Sequence, residues 1–243
     1  MRTLVIGDVH GGLKGLKQAL DRASVQNKDT LIFLGDYVDG WSESAETISY
    51  LNNLSSNNEC IFIRGNHDAL CHQYLANNEK SSLWVQQGGQ SSIDSYSNVD
   101  KNEIESHISF FENLQDFYID SKNNLFIHAG FQNLRGPTFE HYATAAYWDR
   151  TLWELALALD KKLKPDHPFY PTRLKLFEQI YIGHTPVTRI GKTTPYQAAN
   201  VWNIDTGAAF KGPVTIMDIN TQDYWQSDPV WTLYPSEKGR NQP

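Results

Sequence analysis

The sequence predicts an α/β protein built around a parallel sheet. Three apolar runs, at residues 4–6, 30–34 and 60–63, have the length and composition of buried strands. A glycine-containing turn follows each run, and a stretch with helical character follows each turn. Consecutive strand–turn–helix units of this kind form parallel sheets with crossover helices.

The helices between these strands are predicted from the spacing of apolar residues. Leu13, Leu16 and Leu20 recur at helical intervals after the first strand. Ser42 or Ser44 can cap a second helix over residues 43–54. Residues 69–115 are expected to be helical and polar, with a break at Gly88-Gly89. The first half of the chain is therefore expected to alternate strand and helix.

The second half predicts a hairpin, a long helical region and further short strands. Residues 117–119 and 125–127 flank a Ser-Lys-Asn-Asn turn, which is typical of a hairpin. Residues 139–164 are predicted to be helical, and a buried stripe is expected on one face of this region. The stripe comprises Leu152, Leu155, Leu159 and Leu163. Short strands are predicted at 180–182, 201–204, 214–219 and 224–226. Because no repeat or linker interrupts the pattern, we expect one domain over residues 1–243.

Composition limits the classes of function. The 243-residue chain is 40% hydrophobic and carries a net charge of −7, which argues against general nucleic-acid binding. An anionic substrate remains compatible, because bound cations can reverse the local field. Cys60 and Cys71 fit a reducing compartment better than a disulfide. No leader pattern and no apolar run of membrane-spanning length is present. These features predict a soluble cytoplasmic protein with no membrane partner.

Polar residues that can bind metal follow the predicted strands. The carboxyl ends of parallel strands meet at one edge of a sheet, where open α/β sheets bind ligands. Oxygen and nitrogen donors without a thiolate suit Mn, Fe or Zn. Paired metals in hydrolases also need a bridging carboxylate. The residues at the predicted strand ends are Asp8, His10, Asp36, Asp39, Asn66, His67, His128 and His184.

Five motifs carry these residues, and their order and spacing resemble those of the calcineurin-like metallophosphoesterases. The motifs are Gly-Asp-Val-His-Gly at 7–11, Gly-Asp-Tyr-Val-Asp-Gly at 35–40, Gly-Asn-His-Asp at 65–68, His-Ala-Gly at 128–130 and Gly-His-Thr-Pro at 183–186. Two further stretches are similar to the bacterial phosphoprotein phosphatase branch: Trp84 with Gly88-Gly89 and Ser95-Tyr96, and residues 147–150. The resemblance covers residues 4–219. It implies a four-layer α/β/β/α sandwich of two mixed sheets with a dinuclear metal site at the strand ends.

The resemblance also implies a role for each site residue. His67 would protonate the leaving group, Asp39 would orient His67, and Arg150 would bind phosphate. Six residues would hold two divalent ions, with Mn expected and Fe or Zn as alternatives. They are Asp8 and His10 for the first ion, Asp36 for both, and Asn66, His128 and His184 for the second.

One position departs from the pattern of the phosphatase branch. Where that branch carries an arginine that contacts phosphate, this sequence has Gly40, followed by Trp41. Arg150 is then the main candidate for binding phosphate. Trp41 is expected either to shape the mouth of the pocket or to pack beneath the next helix. His72, His107, His141 and His167 lie in helical or loop settings and are expected at the surface.

The resemblance implies hydrolysis of a phosphate monoester by in-line attack of a metal-bound hydroxide. The expected substrate is phosphoserine or phosphothreonine in a protein, with phosphotyrosine also considered. The first alternative is a symmetrical diadenosine tetraphosphate hydrolase, which acts on a small phosphorylated substrate. A scaffold with a decayed metal site is a weaker alternative, because every ligand and His67 are present. A phosphodiesterase or nuclease is also weaker, because the stretches around Trp84, Gly88-Gly89 and Trp148–Arg150 resemble the phosphatase branch.

Overall fold

The computed structural model describes residues 1–241, and two mixed five-stranded sheets form its centre. The strands in chain order are β1 (Thr3–Ile6), β2 (Thr30–Phe33), β3 (Glu59–Phe62), β4 (Phe117–Ile119), β5 (Leu125–Ile127), β6 (Ile180–Ile182), β7 (Tyr196–Ala198), β8 (Val201–Asn203), β9 (Thr215–Asp218) and β10 (Tyr224–Gln226). One sheet has the order β10-β9-β1-β2-β3 and the other β4-β5-β6-β8-β7. The central pairs β1–β2–β3 and β5–β6–β8 are parallel, and the outer pairs are antiparallel.

Helices cover the outer faces of the two sheets. They are α1 (Leu13–Arg22), α2 (Ser44–Ser55), α3 (Asn66–Asn77), α4 (Ser82–Trp84), α5 (Gln90–Ser95), α6 (Lys101–Glu112), α7 (Ala145–Trp148), α8 (Thr151–Ala158) and α9 (Val230–Leu233). A π-helical turn over Val85–Gly89 joins α4 to α5. No helix among these residues combines the length and the apolar character that crossing a bilayer requires.

The period-2 alternation of strand side chains builds three core layers. In β1, Leu4 and Ile6 face the helices of the first sheet, whereas Val5 faces the second sheet. In β6, Tyr181 points back toward the first sheet and its ring stacks on Phe126 with centroids 4.9 Å apart. Because both sheets bury both faces, the predicted α/β fold with two mixed sheets flanked by helices is confirmed. The expectation of one domain over residues 1–243 stays a prediction, and positions 242–243 lie outside the described residues.

The prediction of helix throughout residues 139–164 is wrong, because two short helices occupy only part of this range. α7 ends at Trp148, and α8 ends at Ala158. Asp149 interrupts the region because its carboxylate accepts the backbone N–H of Leu152 at 3.0 Å, which starts a new helix. Asp160 accepts the N–H of Lys162 at 2.9 Å, and this local bond favours a turn over a further helical turn. The expected buried stripe is also wrong, because Leu152 is buried but Leu155, Leu159 and Leu163 are only half-buried.

Candidate metal centre and its cavity

The predicted site residues converge where strands of both sheets end. Asp8 and His10 follow β1, Asp36 and Asp39 follow β2, Asn66 and His67 begin α3 after β3, and His128 and His184 follow β5 and β6. His10, Asp36, Asp39 and His184 have φ angles of 54°, 55°, 71° and 66°. Such left-handed conformations cost about 1–3 kcal/mol each in non-glycine residues and cluster at functional sites. The turns at this edge are therefore built to present particular side chains.

One group of donors surrounds His10. Its Nε2 lies 3.6 Å from Asp8 Oδ2 and 3.5 Å from Asp36 Oδ2. Its Nδ1 lies 2.9 Å from the carbonyl oxygen of Asp39, a contact that requires Nδ1 to carry the proton. Nε2 is then left with its lone pair directed at the two carboxylates. This arrangement is that of a metal-binding histidine held by a backbone acceptor.

A second group shares Asp36 with the first. Asp36 Oδ2 lies 3.4 Å from His128 Nε2, and the same nitrogen lies 3.2 Å from Asn66 Oδ1. His184 Nδ1 lies 2.9 Å from Asn66 Oδ1. The Nδ1 of His128 donates to the carbonyl oxygen of Leu34 at 2.7 Å, so Nε2 is the nitrogen that could bind a metal after losing its proton. Two potential half-sites joined by one carboxylate fit a pair of divalent ions.

The protonation of this cluster is strongly perturbed. Burial opposes the charged form of Asp36, but the imidazoles of His128 and His67 outweigh it and hold the pKa of the carboxyl well below its usual range. Burial likewise opposes charge on His128, yet Asp36 outweighs it and raises that pKa to about 10. Burial and His128 lower the pKa of His184 well below its usual value. Opposed shifts among buried neighbours are typical of a functional site.

His67 lies beside the candidate metal ligands and is held by Asp39. Its Nδ1 lies 2.6 Å from Asp39 Oδ2, and both side chains are almost fully buried. Asp39 also accepts the indole N–H of Trp84 at 2.6 Å and the hydroxyl of Ser92 at 2.5 Å. Donor atoms of His10, Asp36 and His67 all lie within 4.8 Å of one another. The geometry thus fits His67 as an oriented acid and also as a ligand, and the assignment to the acid stays a prediction.

Asp68 is a structural residue that the sequence reasoning gave no role. Its carboxylate accepts backbone N–H groups of Asp36, Tyr37 and Gly65 at 2.7, 2.8 and 2.8 Å. These bonds hold the turn that presents Asp36. A Cβ at Gly65 would lie 2.2 Å from Asp36 Oδ1, so only glycine allows this approach. The sequence could have indicated this role, because an acidic residue three positions after the N-cap of a helix is typical of a capping box.

Asp205 is a site residue that the sequence reasoning missed. It is 3% exposed, lines the cavity, and accepts the N–H of Gly207 at 2.9 Å. Burial and the neighbouring carboxylate of Asp8 raise the pKa of Asp205 to about 8. The sequence pattern that identified the other residues also applies to Asp205, because Asp205 and then Gly207 follow the predicted strand 201–204.

A cavity of about 940 Å³ opens from the metal-ligand cluster. Arg150 lies at its wall, and its Nε donates to His184 Nε2 at 3.2 Å, so the structure places this residue beside the second half-site. Arg189, Lys211 and Arg240 line the same cavity. Burial and then the charges of Arg189 and Arg240 lower the pKa of Arg150. Asp36, Asp149 and Asp205 line it as well, so four cationic side chains face three carboxylates in this cavity, in a chain whose net charge is −7.

The structure decides between two expectations for Trp41 and corrects one for His107. Trp41 is fully buried, donates its indole N–H to Ala208 at 2.8 Å, and stacks on Tyr234 with centroids 5.4 Å apart. It therefore packs and does not shape the pocket mouth. His107 is 1% exposed, so its expected surface position is wrong. Tyr96 and Ser49 lie 3.0 and 2.9 Å from its two ring nitrogens and satisfy it in the interior.

Comparison with known proteins gives one family and several relatives. The model of the calcineurin-like phosphoesterase family matches residues 1–209. The bis(5'-nucleosyl)-tetraphosphatase PrpE [asymmetrical] of Oceanobacillus iheyensis is 25% identical over 227 residues, which are 88% of this chain and 87% of that protein. A crystal structure of a protein assigned as a diadenosine tetraphosphatase superposes with a TM-score of 0.62 at 17% identity and covers 93% of this chain and 92% of that one.

A protein phosphatase shares the same architecture. A protein serine/threonine phosphatase from Saccharomyces cerevisiae, similar to human phosphatase PP5, superposes with a TM-score of 0.61 at 16% identity. The alignment covers 94% of this chain and 80% of that one. At this identity the likeness to both solved structures concerns the fold alone, so the substrate must be argued from the cavity.

Proposed function

Because this chain belongs to the calcineurin-like phosphoesterase family, we propose that it is a two-metal hydrolase of dinucleoside polyphosphates. The observation that carries the choice of substrate is the set of cationic side chains along the cavity. The relative matched over most of the chain is named as a bis(5'-nucleosyl)-tetraphosphatase, which supports the same substrate class.

The cavity contains more positive charge than one phosphate group needs. Arg150, Arg189, Lys211 and Arg240 line it, and none of them lies within 4 Å of a carboxylate among residues 1–241. Bound metal ions would balance Asp36, and the guanidinium groups would then be available to an anion with several phosphate groups. A polyphosphate chain matches this distribution better than a single phosphoserine does.

The metal ligands follow from the two half-sites. Asp8, His10 and Asp36 would hold one ion, and Asp36, Asn66, His128 and His184 the other. The oxygen and nitrogen donor set suits two divalent ions, and we propose Mn with Fe or Zn as alternatives. When bound, such ions activate the attacking water and neutralise charge on the phosphoryl group.

The remaining residues would position the substrate and move a proton. Arg150 would bind a phosphoryl oxygen, because its guanidinium lies at the edge of the second half-site. His67 would donate a proton from Nε2 to the departing oxygen, since Asp39 accepts from Nδ1 and stabilises the imidazolium. Water would add its hydroxyl group to phosphorus and release its other proton to solvent. The departing nucleotide would take the proton from His67, which solvent would then restore.

A phosphoprotein is the second candidate substrate. The stretch Tyr147–Arg150 is similar to one in the phosphoprotein phosphatase branch, and its Trp148 is 44% exposed at the edge of the cavity. An exposed aromatic ring beside a phosphate-binding arginine suits the side chains that flank a phosphoserine or phosphothreonine. The same ring would also stack on a nucleobase, so the aromatic residue does not separate the two substrates.

One parallel assay tests the proposal. Diadenosine tetraphosphate, a phosphoserine peptide and a phosphodiester are supplied separately with Mn, and the products are separated by chromatography. We expect diadenosine tetraphosphate to give the highest kcat/KM. Two ADP molecules would indicate symmetrical cleavage, and ATP with AMP asymmetrical cleavage. Preference for the phosphopeptide would refute the proposed substrate in favour of the second candidate. The Asp36→Asn variant is the control that assigns the activity to this site.

A further inference from the structure

The space beside Gly40 is filled by a side chain from the distant segment 234–241. A Cβ added to Gly40 would lie 3.3 Å from Arg240 Cγ, and one added to Gly88 would lie 3.1 Å from the same atom. Gly40 and Gly88 have φ angles of 121° and 118°, and the N–H of Gly40 donates to the carbonyl oxygen of Gly88 at 3.3 Å. Two hydrogen-bonded glycines therefore form a slot through which the aliphatic part of Arg240 passes.

Trp41, the residue after this slot, holds the segment in place. Tyr234 stacks on the indole ring, and a Cβ at Gly239 would lie 2.6 Å from it, so the backbone of the segment lies directly on Trp41. The N–H of Arg240 donates to the carbonyl oxygen of Ala209 at 2.9 Å. Glu237 accepts the hydroxyl of Ser42 at 2.7 Å and its N–H at 2.9 Å. The segment is thus anchored at Tyr234, Glu237 and Gly239 and at the backbone of Arg240 itself.

The guanidinium of Arg240 reaches the cavity from this slot. It lies 5.4 Å from the ring of Phe210, another residue of the cavity wall. A Cβ at Gly40, which would lie 3.3 Å from Arg240 Cγ, would also lie 3.5 Å from the Cβ of His10, and Arg240 lines the cavity together with His10 and Asp36. Its side chain is only half-buried, which leaves the guanidinium accessible to a bound anion.

We infer that Arg240 binds a phosphate group of the substrate and supplies, from the segment 234–241, the guanidinium that the motif 35–40 lacks. Gly40 leaves room for the arginine, and Trp41 fixes the segment that carries it. Gly40 and Trp41, which depart from the phosphatase pattern, would thus both serve to place Arg240 in the cavity. This inference rests on the proposed hydrolysis of a phosphorylated substrate, but it does not depend on which one.

Binding of inorganic tripolyphosphate tests the role of Arg240. The Kd is measured by calorimetry for the Mn-loaded full chain, its Arg240→Gln variant and a Lys238→Gln control. Lys238 is exposed in the same segment and is absent from the cavity wall. We expect Arg240→Gln to raise the Kd about tenfold, the loss of one charged hydrogen-bonding group. Lys238→Gln should change it less than about twofold. Equal effects of the two variants would overturn the inference.

A double-variant cycle tests the anchoring by Trp41. Trp41→Leu should raise the Kd for tripolyphosphate as Arg240→Gln does, because the segment is released. The double variant should then bind no more weakly than either single variant. Additive effects would show that Trp41 does not act through Arg240, and circular dichroism with thermal melting identifies any variant that fails to fold. Arg240→Lys, which keeps the charge and the backbone contacts, provides a folded comparison with an intermediate Kd.

The test of Arg240 and the test of the proposed substrate can fail independently of each other. If the protein prefers a phosphopeptide while Arg240→Gln still weakens tripolyphosphate binding, the proposed substrate is wrong and the role of Arg240 stands. If diadenosine tetraphosphate is hydrolysed while Arg240→Gln behaves like Lys238→Gln, the proposed function stands and the role of Arg240 is wrong.

Discussion

The indole nitrogen of Trp84 lies 2.6 Å from Oδ2 of Asp39, the carboxylate oxygen that also holds His67. The two residues are 45 positions apart, and Trp84 belongs to a three-residue helix followed by a π-helical turn. Trp84 therefore fixes the carboxylate that orients the predicted acid. It is a positioning residue, since it touches Asp39 and not the metal-ligand cluster.

Replacing Trp84 by phenylalanine should slow turnover more than it weakens substrate binding. The variant loses one hydrogen bond to a charged group, and we expect kcat to fall about tenfold with KM changed less than about twofold. Trp202→Phe is the control, because Trp202 contacts the core between the sheets and its ring nitrogen has no hydrogen-bond partner among residues 1–241. An equal loss of kcat in both variants would show that Trp84 acts through stability alone.

Replacing His67 by alanine separates its two geometric possibilities. As an acid, His67 can be removed without loss of metal, so the variant should keep two ions per chain and lose about 10²–10⁴-fold in kcat. As a ligand, its removal should lower the metal content. Metal stoichiometry by mass spectrometry of the dialysed protein, together with kcat, distinguishes them. If the His67→Ala variant loses one ion per chain, His67 is a metal ligand and not the acid.

Replacing Asp36 by asparagine should abolish binding at both half-sites. Its carboxylate is the member common to the groups around His10 and around His128. Asparagine keeps the size of the side chain and one oxygen but loses the charge that balances two cations. We expect titration with Mn to show no high-affinity binding. The His184→Ala control should keep the first ion, and full stoichiometry in Asp36→Asn would refute the bridge.

The sequence was sufficient to predict which candidate metal-binding residues come together, because these residues follow recognisable strands. Asp8, Asp36 and His128 each come directly after or soon after an apolar run, and parallel strands end at one edge of a sheet. The hairpin 117–127 was also correct, since its turn residues are local signals. Local patterns therefore predicted the strands and their ends.

Contacts between distant segments could not be predicted in this way. Nothing in the surroundings of Trp84 indicates that it binds Asp39, and Arg240 reaches the cavity from the far end of the described chain. A polar residue such as His107 is expected at the surface. It is buried here because Tyr96 and Ser49 provide hydrogen-bond partners for both of its ring nitrogens. The break at Asp149 was missed because helical spacing on both sides outweighed a single capping residue in the pattern.

The ion pair between Arg2 and Asp29 predicts a defined dependence of stability on pH. Their side chains lie 2.5 Å apart, and Asp29 is 1% exposed. Burial opposes ionisation of Asp29, but hydrogen bonds from Arg2 and Gln26 outweigh it and lower the pKa of its carboxyl to about 2 from 3.8. A lowered pKa stabilises the folded state above the unfolded value, and this stabilisation is lost as the pH falls from 3.8 towards 2.

Replacing Asp29 by asparagine should remove this stabilisation. We expect the free energy of unfolding to fall by about 1–2 kcal/mol at pH 7, measured by urea titration, and the difference from the unmodified chain to shrink as the pH is lowered below 4. Asp228→Asn is the matched control, since its pair with Arg22 is exposed and should contribute much less. A difference between the Asp29→Asn variant and the unmodified chain that stays constant from pH 7 to pH 3 would show that Asp29 contributes through packing and not through its charge.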